Sequence, residues 1–171
     1  MSFEFKARLE KVQSSLGWYY HFEVPIEVSE KILEGNRRVI CEINNKISFQ
    51  CGLFPKGKGI YFINMNKLNR EKLNVATGDE LCITLSEDTS KYGIHIPLVF
   101  EELLKQDPIG SKRFHEQTAG VQRSLIYIIA KPKNEQLKLE KGLVILDFLK
   151  TFSGKVDFKG LRNALKNNRF K

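Results

Sequence analysis

Lys56-Gly57-Lys58-Gly59 is the first stretch whose residues suggest a binding role. Its glycines offer flexible backbone amides and its lysines two cations, a combination that can wrap a phosphate or another anion. No Gly-Lys-Ser/Thr follows and no GxGxxG leads into a helix, so an exposed hairpin turn is the competing reading. The second stretch is the C-terminal run Lys155, Lys159, Arg162, Lys166, Arg169 and Lys171, which faces a single acid, Asp157. Spacings of 3, 4 and 3 put Lys159, Arg162, Lys166 and Arg169 on one helical face. Such a face could track phosphates or an anionic membrane surface, with an affinity that falls as salt rises. The competing reading is a solvated face behind Phe158, Leu161 and Leu165.

Catalysis finds less support. The three histidines, His21, His95 and His115, fall in two expected strands and a helix, and no GxSxG elbow or Cys-His signature accompanies them. HxxxH and CxxC are absent, so the sequence names no metal ligands and calls for no cofactor. Glu101-Glu102 and Glu87-Asp88 are adjacent acids whose side chains diverge, a poor arrangement for acid/base work. Cys41, Cys51 and Cys82 are odd in number and irregular in spacing, which reads as small apolar fillers in strands rather than a disulfide framework. Trp18, Tyr20 and Phe22 share a face and read as core. Tyr19 and His21 share the other, which could stack a base or ring if exposed, although no basic residues lie close in sequence.

The elements that must position these residues change character along the chain. Phe3, Phe5, Ala7 and Leu9 alternate with charged residues, and Leu81, Ile83 and Leu85 alternate again with Cys82 and Thr84 between them, the period of half-buried strands. Short helices are expected over Ile26–Leu33 and Asn66–Leu73, a turn over Pro55–Gly59, and a last strand over Tyr92–Ile96. Residues 37–54 form a hairpin. A three-residue loop, Asn44-Asn45-Lys46, pairs Ile43 with Ile47, Cys41 with Phe49 and Val39 with Cys51, which alone gives one apolar face. A left-handed residue is expected near the loop's end. From Pro97 the period becomes helical: Leu98, Phe100, Leu103 and Leu104; then Asp107 capping a helix opened by Pro108; then Val121, Leu125, Ile128 and Ile129; then Leu139, Leu143, Leu146, Leu149 and Phe152; and a last helix after Asp157.

The chain has 171 residues and a net charge of +8. Residues 1–106 hold 14 basic and 14 acidic side chains, whereas residues 107–171 hold 14 and 6, so the whole excess lies in the rear. That asymmetry points to an anionic partner, nucleic acid or another polyanion. Composition excludes a disordered chain or a collagen. No segment has the ~20 apolar residues of a membrane span, and no signal peptide is visible, so a soluble cytoplasmic protein is expected. The expected fold is α+β: a small closed or split β-barrel over 1–96, then a helical segment of about four to five helices over 97–171, packed on it.

Several residues carry a family resemblance. Phe3-x-Phe5-x-Ala7-x-Leu9, Trp18, Val24-Pro25, Phe49-Gln50-Cys51-Gly52-Leu53, Pro55-Lys56-Gly57-Lys58-Gly59 and Gly78-Asp79 together resemble the domain-of-unknown-function family numbered 1905, over residues ~3–96. Ala130-Lys131, Glu140-Lys141 and the leucine-bearing helix resemble the bacteriocin-protection family called YdeI or OmpD-associated, over residues ~98–168. Bacterial proteins often join the two. The first resemblance implies no activity; the second implies a link to tolerance of antimicrobial peptides. Where that family carries an Arg-rich stretch, this chain has Glu135-Gln136-Leu137-Lys138-Leu139, without arginine. Leu73-x-Val75-x-x-Gly78-Asp79-x-Leu81-x-Ile83 also resembles the swapped-hairpin barrels of transition-state-regulator DNA-binding proteins, a likeness of fold that transfers no function. The expected role is a non-catalytic binding or regulatory module. Nucleic-acid binding through the basic C-terminal face is the second reading, and a small-molecule enzyme using a barrel mouth the third.

Overall fold

A computed structural model describes residues 2–14, 17–35, 37–151 and 154–167. The side chain of Trp18 and the residues Phe152, Arg169 and Lys171 lie outside what is described. The chain divides into two compact units, Met1–Gly93 and Ile94–Lys171.

Among the described residues the first unit holds eight strands and two helices: β1 (Ser2–Arg8), β2 (Glu10–Ser14), β3 (Gly17–Val24), α1 (Ile26–Leu33), β4 (Arg38–Ile43), β5 (Ile47–Gly52), β6 (Phe54–Gly57), β7 (Ile60–Asn64), α2 (Lys67–Leu73) and β8 (Glu80–Glu87). The strands form two antiparallel four-stranded sheets, ordered β1-β8-β4-β5 and β2-β3-β7-β6. Of the closed or split barrel expected, the closed form is not found: among the described residues no ladder joins an edge of one sheet to an edge of the other. The chain changes sheet at Leu9, which is 1% exposed and whose backbone bonds to Asp79 O and Gly78 N. One core draws on both sheets, with Phe22, Val24 and Ile63 from one, Val39, Cys41, Leu81, Ile83 and Leu85 from the other, and Val28, Ile32 and Leu73 from the helices.

The hairpin of β4 and β5 has the register that one apolar face requires: Ile43 opposite Ile47, Cys41 opposite Phe49, Val39 opposite Cys51. The left-handed residues are Asn44 and Asn45, at the loop's start rather than its end. Asparagine tolerates that conformation, and Asn44 is further held by its Oδ1 accepting from Cys82 N at 2.8 Å. Two other expectations are corrected. No strand covers residues 92–96, where Arg38 donates to the Gly93 carbonyl at 2.6 Å and so takes up the backbone group a ladder would use. The turn expected over Pro55–Gly59 is confined to its end: Phe54–Gly57 is strand, and the ladder slips between Pro55 and Gly57, leaving Lys56 at a bulge.

The second unit holds α3 (Leu98–Gln106), α4 (Pro108–His115), α5 (Ala119–Ala130), α6 (Glu135–Lys150) and α7 (Phe158–Asn167). With α1 and α2 the described helices number seven, five of them in this unit. Asp107 caps α4, accepting from Gly110 N at 2.8 Å with Pro108 in the first turn. Asp157 accepts from Lys159 N and Gly160 N at 2.9 and 3.0 Å. α6 packs against α3, α4, α5 and α7, so its apolar residues serve several directions. Val144, Ile145, Leu146 and Leu149 are buried, while Leu143, placed on its inner face by spacing, is exposed. Gly142 lets α3 approach, since a Cβ there would stand 2.6 Å from Leu103 Cδ1. Phe100 and Phe114 meet edge to face, 5.3 Å between centroids, inside this core. No described helix is long and apolar enough to cross a membrane.

Candidate functional site

Strand alternation sends Phe22 and Val24 of β3 into the core and Tyr19, His21 and Glu23 to the opposite face of the sheet. Register then adds neighbours: Glu10 of β2 lies opposite His21, and Phe62 of β7 opposite Glu23 and Phe54. Lys56 stands at the bulge of edge strand β6, a device that re-aims a side chain. Its Nζ lies 2.6 Å from Glu23 Oε1, 3.3 Å from Glu10 Oε2 and 3.2 Å from His21 Nε2. His21 Nε2 is also 3.2 Å from Glu10 Oε2.

His21 is fully buried, although it faces away from the core. The rings of Tyr19 and Phe62 flank it, 5.4 and 5.1 Å away between centroids. Burial pushes its pKa below the ordinary imidazole value, and the Lys56 charge pushes the same way against Glu10 and Glu23. Lys56 moves upward: its hydrogen bond to Glu23 outweighs burial, and Glu10 adds to the rise. The lysine that sequence offered as an anion ligand is thus an ammonium already paired with two carboxylates. His21, Glu10 and Glu23 were not legible as a cluster, because their meeting depends on the register of β2 against β3.

Beside this face opens a groove of about 570 Å³. Tyr19, Tyr20, Phe49 and Phe54 line it with rings, and Arg38, Lys67 and Arg70 with cations. The Arg70 guanidinium lies 3.4 Å from the centroid of the Tyr20 ring, a cation–π stack. Its Nε is buried without a hydrogen-bond partner among the described residues. Asn66 caps α2 and so fixes Lys67 and Arg70 on the groove: its Oδ1 accepts from Asn69 N at 2.8 Å. Arg38 is braced differently. It donates to Gly93 O, and two glycines make room for it: a Cβ at Gly52 or at Gly93 would stand 3.1 Å from its guanidinium atoms. Gly93 also has φ +66°, which favours glycine. Beneath lies Asp88, 2% exposed, accepting from Gln50 Nε2 at 3.1 Å and Ser90 N at 3.0 Å. Burial works to raise the Asp88 pKa, but hydrogen bonds from Ser90 and Gln50 and the Arg38 charge hold it below the ordinary carboxylate value. The basic companions that Tyr19 lacked in sequence therefore come from β4 and α2.

Lys58 is exposed at φ +52° in the turn after Lys56 and belongs neither to the cluster nor to the groove. Lys155 is exposed ahead of α7. Lys159, Arg162 and Lys166 are exposed along α7, with no side-chain acid partner among the described residues; Arg169 lies outside those residues. His95 is exposed on a loop. His115 Nδ1 donates to Ser111 O at 2.7 Å, so that nitrogen is no base for the Ser111 hydroxyl. Among the cysteines, Cys41 is buried as a filler should be, whereas Cys82 is exposed. A hydrogen bond with Cys51, together with burial, raises the Cys41 thiol.

Neither the curated proteins nor the solved structures hold a match to this chain. Residues 5–85 match the family model described as Domain of unknown function (DUF1905), a span that contains the histidine cluster and every ring and cation named in the groove.

Proposed function

We propose that the chain is a non-catalytic binding module whose strand-rich unit takes a ring-bearing anion, a nucleotide or single-stranded nucleic acid, in the groove beside β3. The observation that carries this reading is the convergence of four aromatic rings with Arg38, Lys67 and Arg70 on one open groove. Rings supply stacking of about 1–3 kcal/mol per base, and the cations supply a salt-dependent attraction for phosphate. The volume falls within the ~300–1,000 Å³ of small-molecule sites. Binding of a fluorescein-labelled single-stranded 12-mer and of AMP, read by anisotropy and calorimetry, tests it. Arg70→Gln should weaken both by about ten- to a hundredfold, by losing one charged contact of ~1.5–3 kcal/mol, and the affinity should fall as salt rises. No binding at low salt, or binding indifferent to Arg70→Gln, would overturn it.

A second reading places the nucleic acid on α7, supported by exposed Lys159, Arg162 and Lys166 without acid partners among the described residues. A triple glutamine variant at these positions, compared with Arg70→Gln, decides between the two surfaces. The resemblance of residues 97–171 to the YdeI/OmpD-associated family supports a further assignment: a cytoplasmic protein of domains 1–96 and 97–171 that acts in antimicrobial-peptide tolerance. Its charge of +8 repels cationic peptides, so that role is indirect or regulatory. Deletion of the gene with unchanged peptide sensitivity would remove it.

A further inference from the structure

We propose that Glu10, His21 and Glu23 form a site for a divalent first-row transition ion, in which the Lys56 ammonium is an internal cation that the ion displaces. The site is independent of the groove reading. One nitrogen and two carboxylate oxygens lie within 4.8 Å of one another. The 3.2 Å between His21 Nε2 and Glu10 Oε2 is the separation of two adjacent ligands on an ion bonded at about 2.0–2.2 Å. The position an ion would take already holds a positive charge, the Lys56 Nζ, within 3.3 Å of all three groups.

The cluster is frustrated without an ion. If the Nε2 lone pair accepts from Lys56, it faces the Glu10 oxygen at 3.2 Å, lone pair to lone pair. If Nε2 carries the proton and donates to Glu10, that N–H points among the hydrogens of an ammonium. In neither tautomer does Nδ1 have a hydrogen-bond partner among the described residues. A bound ion uses the Nε2 lone pair and both carboxylates at once. Lys56 can withdraw, because its side chain is 34% exposed on an edge strand. Its departure as the ion enters changes the charge of the two-carboxylate cup from −1 to neutral. Imidazole with carboxylates suits Zn²⁺ or Mn²⁺ rather than Mg²⁺. Three protein ligands leave a coordination position open.

Zn²⁺ titration of the full chain against a chromophoric chelator at pH 7 tests this, with Mg²⁺ as the control ion. Lys56→Met should bind one Zn²⁺ at least about tenfold more tightly than the parent chain. Adding Glu10→Gln should abolish that gain, a ligand loss worth at least the ~10–100-fold of supporting residues. Adding His115→Gln, a surface histidine on another element, should leave it intact. Glu10 is 46% exposed, so its glutamine variant keeps the fold, and circular dichroism checks each protein. If Lys56→Met binds Zn²⁺ no better than the parent, or if Glu10→Gln leaves the gain in place, the cluster is an ion-pair network and the proposal fails.

Discussion

Lys56 of the strand-rich unit and Lys159 of the helical unit carry the same ammonium in opposite circumstances. Lys56 reaches from a bulge to two carboxylates and an imidazole nitrogen. Lys159 stands on α7 beside Arg162 and Lys166, all exposed and without an acid partner among the described residues. Arg38 and Arg70 resemble Lys56: one is braced by a carbonyl and a buried aspartate, the other lies over a tyrosine ring. Net charge would have directed attention to the rear of the chain. The built-in cations lie in the half whose charges cancel, where each is held against a partner from elsewhere in the fold. Pairing, not excess charge, separates a constructed site from a solvated face.

Four kinds of measurement separate the two regions. The largest effects should come from the cores that hold each region in place. Phe22→Ala and Phe114→Ala each remove a fully buried ring and should each cost about 3–5 kcal/mol in urea denaturation. A loss below about 1 kcal/mol would mean that the corresponding core is not the support described. Next, Asp88→Asn should cost about 1–3 kcal/mol, since it leaves the buried end of the Arg38 network short of a charged acceptor. It should also weaken groove binding, whereas no change in either would detach Arg38 from Asp88.

A third effect is set by pH. The folded pKa of His21 lies below the ordinary 6.5. The unfolded chain therefore takes up a proton that the folded chain resists. This contribution to stability is complete above about pH 6.5 and is lost as pH falls from there through the folded value. Between pH 7 and 5 the parent chain should lose stability that His21→Gln does not lose, as chemical denaturation at each pH will show. Parallel pH profiles would place His21 in water. The smallest effect is expected on α7. Glutamine at Lys159, Arg162 or Lys166 should change stability by less than about 0.5 kcal/mol, and a larger destabilisation would reveal partners that the exposed face does not show.

Legibility differed between the two regions for physical reasons. The β4–β5 register could be deduced because only one loop length puts Val39, Cys41 and Ile43 on the same face as Ile47, Phe49 and Cys51. The caps at Asp107 and Asp157 were legible because capping is local. Barrel closure was not, since it depends on whether distant edges pair, and short alternating strands suit an open pair of sheets equally well. The strand expected at residues 92–96 failed because Arg38, distant in sequence, claimed the Gly93 carbonyl. The inward place of Leu143 failed because a helix surrounded by four others has no single inner face.

The helical period after Pro97, the inward-turning residues of most strands and the positive excess behind residue 106 were readable from the chain alone. These follow from period, local capping and simple addition, which need no knowledge of distant contacts. The burial of His21, the meeting of Glu10 and Lys56 at its Nε2, and the placing of Arg70 of α2 over Tyr20 of β3 came with the folded arrangement alone. Each of those contacts joins residues on different elements, and the register, the bulge and the helix placement that bring them together are fixed by packing across the whole unit.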